Sequence, residues 1–269
     1  MKSVLVTIPA HNEAAMLGAS VRELARGLDA SGLNYRLSIA EDGSTDGTVE
    51  VIRQLQSEFP RLLVSTSPER RGRGLALREL WSGADADIFA FVDADLATGP
   101  SAVANVIAAV QGGADVATGS RYVPGAIVHR PALRGIVSRA YNRMVQLTFH
   151  ESVHDHQCGL KAFSREAMTT IFGMTREDSW AWDTEAIVLA TLAGLHVVEV
   201  PVEWTEYRGA HTPIGRLLSD VYLHGVSVVR LRANLRERMA SRIVRRSVPF
   251  TANSPDLVGR QDKGSGYLR

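Results

Sequence analysis

The feature that most constrains the fold is a rhythm. Short apolar runs alternate with stretches of helical period, and a polar loop follows each run. Residues 4–8, 35–40, 62–66 and 88–92 read as strands, and residues 13–28, 49–59 and 73–84 as helices. Strands alternating with helices of that length predict βαβ units, and so an α/β domain with a mostly parallel sheet flanked by helices. In such a sheet the loops after the strands gather at one rim, where ligands bind. That rim would hold Asn12, Asp42 and Asp93.

The second half continues less regularly. Residues 101–111 predict a helix, 115–118 a strand, 119–134 an irregular loop near the site, and 135–150 a helix. A strand at 157–163, helices at 165–172 and 183–193, and a last strand at 196–202 follow. Residues 214–246 carry a long helical pattern rich in arginine, and 247–269 are polar with Pro, Gly and Ser throughout. The expected organisation is a catalytic domain over 1–212, an amphipathic helix over 213–246 suited to a membrane surface, and a disordered tail over 247–269.

Composition excludes several classes. With 45% hydrophobic and 22% charged residues, the 269-residue chain has an ordinary globular balance. A net charge of +1, with no aromatics interleaved among the C-terminal arginines, argues against nucleic-acid binding. The single cysteine, Cys158, excludes an intrachain disulfide, fits a reducing compartment and reads as a packed small residue. The N-terminus reaches Pro9 and His11 too soon for a signal peptide, and no apolar run reaches 18 residues, so membrane contact is expected to be peripheral.

Chemistry concentrates in the loops. Asp93 and Asp95 sit one residue apart at the end of a buried strand. Two carboxylates so close repel unless a cation lies between them, and a hard divalent ion is held by one or two carboxylates plus substrate phosphates. The plainer alternative is a pair of loop acids. In Glu41-Asp-Gly-Ser-Thr-Asp-Gly-Thr48, Asp42 suits a ligand, while Asp46, or Ser44 with Thr45, suits a helix cap. Arg70-Arg-Gly-Arg-Gly74 opens a helix, as an anion site or a solvated basic turn. His154-Asp155-His156, read as strand, puts both histidines on one surface face. Trp180, Trp182 and Trp204 suit packing or a ligand wall.

Taken in order, Ile8-Pro-Ala-His-Asn-Glu13, the Glu41–Thr48 loop, the Gly-Arg-Gly turn and Asp93-Ala-Asp95 resemble inverting nucleotide-sugar glycosyltransferases of the GT-A fold. Gly119-Ser-Arg-Tyr122, Ser138-Arg139, the stretch from Asp155 to Phe163, Trp180-Ala-Trp-Asp-Thr-Glu185 and Val202-Glu-Trp-Thr-Glu206 resemble its polyprenyl-phosphate branch. The likeness is nearest to dolichyl-phosphate β-glucosyltransferase, with dolichyl-phosphate mannosyltransferase a cousin, and covers about residues 3–235.

The resemblance implies that Pro9, His11, Glu13, Asp42, Arg73, Asp93 and Ala94 bind the nucleotide sugar, UDP- or GDP-hexose. Asp93 and Asp95 would hold Mg²⁺ or Mn²⁺, and Arg121, Arg134 and Ser138 the acceptor phosphate. Asp95 and Asp183 are the expected catalytic acids, although Asp183 also suits a helix cap. The expected place is the cytoplasm, peripheral on the cytoplasmic face of the membrane. Ala97 stands where the mannosyltransferases have a metal-reaching Gln, and Gly209-Ala-His211 stands in place of Gly-Ser-Lys, leaving His211 or Arg208 to substitute. A glycan or glycerol hydroxyl acceptor, and a non-catalytic nucleotide-sugar-binding scaffold, are the competing readings.

Overall fold

A computed structural model describes residues 2–179, 181–205 and 225–235. The chain opens with the predicted alternation: β1 (Val4–Ala10), α1 (Leu17–Ala30), β2 (Tyr35–Asp42), α2 (Thr48–Glu58), β3 (Leu63–Ser67), α3 (Arg73–Ser82) and β4 (Ile88–Val92). It continues through α4 (Gly99–Gln111), β5 (Val116–Ser120), β6 (Ile127–His129), α5 (Ala132–Phe149) and β7 (Leu160–Ser164). Then come α6 (Arg165–Met174), α7 (Trp182–Leu192), β8 (Val197–Pro201) and β9 (Glu203–Thr205). Seven strands form one sheet in the order β3-β2-β1-β4-β7-β5-β8. β7 runs antiparallel to β4 and β5, and the other neighbours pair parallel.

The period of two in the strands sorts side chains onto the sheet's two faces. In β4, Ile88, Ala90 and Val92 enter one core with Leu17, Val21 and Leu24 of α1 and Val103, Val106 and Ile107 of α4. Phe89 and Phe91 enter the other, with Leu77 and Trp81 of α3, Ile171 of α6 and Trp182 and Ile187 of α7. Trp81, Phe89, Phe91, Phe163, Phe172 and Trp182 form a continuous aromatic cluster there, so Trp182 is packing. Trp180 lies outside the described residues.

Three local readings are corrected. The loop at 119–134 contains β6, which pairs parallel with β9; strands of three residues are too short to show alternation. The strand expected from 157 begins only at Leu160, so strand alternation does not apply to His154-Asp155-His156. His154 is exposed, whereas Asp155 and His156 are fully buried. The His156 ring nitrogens lie 2.8 Å from Asn142 Oδ1 and 2.9 Å from Glu151 Oε1. Finally, α2 has Gly47 at its cap position; Asp46, one residue earlier, accepts from the Thr48 amide and hydroxyl.

The described residues up to Leu231 belong to one compact unit and those from Arg232 to Leu235 to a second. Residues 225–235 are helical, with Val228 and Leu231 buried and Arg230 and Arg232 exposed. The rest of the expected helix at 213–246, its boundary at 212, the tail at 247–269, Arg208 and His211 lie outside the described residues. Among the described residues no helix is long and apolar enough to cross a membrane.

A buried polar chain ties α3 to the first two strands. Trp81 Nε1 donates to Thr7 Oγ1 at 2.7 Å, Thr7 Oγ1 lies 2.7 Å from Ser38 Oγ, and Ser38 Oγ donates to the Val6 carbonyl. Each hydroxyl can therefore accept one bond and donate one. Thr7→Val keeps the shape but strands the indole N–H, so unfolding in urea is expected to show a loss of about 1–3 kcal/mol. Unchanged stability would show that this chain contributes nothing.

Candidate active site

The loops that leave β1, β2, β3 and β4 enclose an open cleft of about 610 Å³. Its walls include Pro9, His11 and Glu13 after β1, Asp42 at the end of β2, Arg70 to Arg73 after β3, and Asp93, Ala94 and Asp95 after β4. Every residue that the sequence assigns to the nucleotide sugar or the metal lines this one cleft.

On one side, Asp42 organises the wall. Its two carboxylate oxygens accept the amides of Arg71 and Gly72 at 2.7 and 2.8 Å, which fixes the basic turn against β2. His11 Nδ1 lies 2.7 Å from the Asp42 carbonyl oxygen. Gly72 has φ +107, and a Cβ there would lie 2.1 Å from the Asp178 carbonyl oxygen, so only glycine lets the turn close against Asp178 and Ser179. The Gly74 amide donates to that same oxygen at 2.9 Å.

On the other side the charges cluster. Arg73 Nη2 lies 3.2 Å from Asp93 Oδ1, and Arg73 Nη1 donates to Asp183 Oδ2 at 2.7 Å. Behind them Lys161, fully buried, donates to the Cys158 carbonyl at 2.6 Å and lies 3.8 Å from Asp183 Oδ1. Arg73 and Lys161 both stand over the Phe91 ring. Burial pushes the Asp93 carboxyl up to about 6, with Asp183 and Asp95 adding to it and Arg73 and Lys161 opposing it. Burial also works against the Arg73 charge, but Asp183, Asp93 and Asp95 outweigh it and keep the guanidinium above its ordinary range. Asp95 accepts the Ala97 amide at 3.2 Å, and Leu96 between them adopts the left-handed region at φ +47. Such a backbone is uncommon for a branched residue and turns the acidic loop tightly beside the cleft.

Asp183 is placed in the first turn of α7, but it makes no cap hydrogen bond; its carboxylate belongs to Arg73 instead.

The remaining predicted residues stand apart from the cleft lining. Arg121 is buried and grips Asp155 in a fork, Nε to Oδ2 at 2.7 Å and Nη2 to Oδ1 at 2.8 Å. Burial opposes both charges, yet each partner outweighs it, raising the arginine and lowering the aspartate. The guanidinium also faces the Trp204 and Tyr122 rings. Arg134 and Ser138 lie one turn apart on α5, Ser138 buried and Arg134 half-buried. Cys158 is fully buried, and burial pushes its thiol up to about 12, as suits packing rather than a nucleophile.

Sequence reasoning missed three participants. Lys161 had a signal: alternation in 160–163 puts it on the same buried face as Phe163, and a lysine there requires a partner. Asp155, as the partner of Arg121, had none, because 34 residues separate the two. Gly159 is the third, since a Cβ there would lie 1.9 Å from Asp93 Oδ2.

The geometry now meets the comparisons with known proteins. The model of glycosyl transferase family 2 matches residues 5–172, from β1 into α6. Glycosyltransferase AglD of Haloferax volcanii is 38% identical over 245 residues, 89% of this chain. The dolichyl-phosphate beta-glucosyltransferase of Drosophila melanogaster is 30% identical over 220 residues, 76% of this chain. This chain spans 39% of the first relative's length and 68% of the second's. Among solved structures, glucosyl-3-phosphoglycerate synthase from Mycobacterium tuberculosis with Mn²⁺, UDP and glucosyl-3-phosphoglycerate matches with TM-score 0.66. At 20% identity, over 86% of this chain and 80% of that one, the likeness speaks to the fold, which is of the GT-A type. Because the family match takes in all four rim loops together with Gly159 and Lys161, this chain belongs to glycosyl transferase family 2.

Proposed function

We propose that the protein transfers a hexose, glucose or mannose, from a nucleotide sugar to a polyprenyl phosphate, inverting the anomeric carbon with the help of Mg²⁺ or Mn²⁺. The observation that carries this reading is the convergence of Pro9, His11, Glu13, Asp42, Arg73, Asp93, Ala94 and Asp95 on one cleft. The similarity to proteins named as dolichyl-phosphate glucosyltransferases supports the acceptor class.

The donor set suits a hard divalent ion. Asp93 and Asp95 are both partly exposed and both line the cleft. Among the described residues no group of three or more His, Cys, Asp or Glu could hold a metal, so diphosphate and water would complete the shell. Once bound, the ion supplies positive charge against the departing nucleoside diphosphate. The protein's own part is largely positioning. Pro9, His11, Glu13 and Asp42 take the nucleoside side. Arg73 adds a fixed, desolvated cation beside the diphosphate, where such charge is worth most. Asp183 holds Arg73 in place at 2.7 Å.

A phosphate acceptor is already anionic and needs no strong base. It needs only to be held in line with the sugar, the task assigned to Arg121, Arg134 and Ser138. Asp155 fixes the Arg121 fork from behind. A lipid acceptor stays in the bilayer, so the enzyme would work peripherally, on the cytoplasmic face.

Three outcomes are expected. With Mn²⁺ and a short polyprenyl phosphate, one donor from a panel of UDP- and GDP-hexoses gives a lipid-linked hexose, read by mass spectrometry; no product from any donor would refute the acceptor reading. Asp95→Ala abolishes transfer while its melting curve stays that of the wild type. Asp183→Asn lowers kcat by less than about 100-fold, because losing a true general base costs roughly 10²–10⁴-fold. A deeper loss would favour a hydroxyl acceptor.

A further inference from the structure

Among the described residues, α5 carries three of the six exposed large apolar side chains, the others being Ile127, Leu192 and Val229. Leu133, Ile136 and Leu147 are 54%, 62% and 59% exposed, and Ile127 on nearby β6 is 53% exposed. At 3.6 residues per turn, Leu133, Ile136, Ala140, Arg143 and Leu147 fall within a stripe about 80° wide. Solitary exposed leucines are ordinary, but an apolar stripe along four turns marks an interaction surface.

The charges around the stripe identify what covers it. Residues 121–150 contain Arg121, Arg130, Arg134, Arg139 and Arg143 and not one Asp or Glu. Several other surface arginines are paired with acids: Arg22 with Glu58, Arg53 with Glu50, Arg71 with Glu79. Arg139 and Arg143 are exposed beside the apolar stripe, and Tyr122, packed under Arg139 and reached by Arg130, adds an amphipathic ring. Apolar residues rimmed by arginine, with an aromatic at the edge, match the depth profile of an anionic bilayer surface. A second copy of the chain fits poorly. The nearest exposed acid is Glu203, opposite Ile127 in the β6–β9 pair; a two-fold contact along α5 itself would set arginine against arginine.

We propose that the outer face of α5, with β6, is the surface by which this protein lies on anionic lipid. The inference rests for its purpose on the polyprenyl-phosphate reading: Arg134 and Ser138 are carried by the same helix, on its inner side, about 140–180° round from the stripe. The acceptor phosphate would then meet the protein at the headgroup level, with its tail still in the bilayer.

The test uses the full chain and flotation with vesicles of phosphatidylcholine and phosphatidylglycerol, against phosphatidylcholine alone. The wild type is expected to float with the mixed vesicles only. The triple variant Leu133→Ser, Ile136→Ser, Leu147→Ser should bind at least about tenfold more weakly. Arg143→Gln should weaken binding about fivefold, the worth of one arginine at such a surface. All three wild-type side chains are exposed, so melting curves should not move. A triple variant that floats like the wild type, or a wild type that ignores both vesicles, would overturn the proposal. So would a wild-type dimer in sedimentation that the triple variant splits into monomers. Transfer to a short, water-soluble polyprenyl phosphate should survive in the triple variant. If neither protein uses that acceptor, the acceptor reading falls while flotation still decides the surface.

Discussion

A small set of desolvated charges holds the working end of this molecule together. Arg73 reaches Asp183 at 2.7 Å and Asp93 at 3.2 Å, with Lys161 3.8 Å from Asp183. Two cations and two anions balance, and each would be costly to bury alone. The four side chains come from α3, α7, the loop after β4, and β7, so one electrostatic cluster fixes how those elements meet. The aromatic cluster of Trp81, Phe91, Phe163 and Trp182 keeps water from one side of it, which strengthens each pair. Arg73 and Asp93 are where this structural network reaches the cleft.

Much of this was legible before any coordinates. The strand at 88–92 was read to the residue, because five apolar residues in a row followed by acid and Thr-Gly-Pro leave little choice. The rim was legible for a topological reason: in a parallel sheet every strand's exit loop goes to the same end. What could not be read was pairing at long range. Apolar alternation carries no direction, so the antiparallel insertion of β7 between β4 and β5 left no mark on the sequence. The β6–β9 pair and the Arg121–Asp155 fork join segments far apart in the chain, and His156 is buried by neighbours that local pattern does not name.

The site divides into two supports with different physics. The nucleoside side is built from backbone held by carboxylate: Asp42 clamps two amides, and Gly72 permits the contact with Asp178. The side assigned to the acceptor rests on a buried guanidinium–carboxylate fork, stacked against Trp204 and continued by α5. The first is a pre-shaped cleft; the second is a buried ion pair beside a segment, residues 121–150, that holds five arginines and no acid. The proposed reaction, with a water-soluble donor and an acceptor held in a bilayer, would call for that division.

The central claim is that the cleft between Asp42 and Asp95 takes a nucleoside diphosphate together with a divalent ion. Calorimetry of UDP and GDP binding to the wild-type chain, with Mn²⁺ and with EDTA, tests it directly. One nucleotide should bind with Mn²⁺ and weaken at least about tenfold in EDTA, about 1.4 kcal/mol. Absence of binding by both nucleotides in Mn²⁺, or equal affinity with and without the metal, would contradict it.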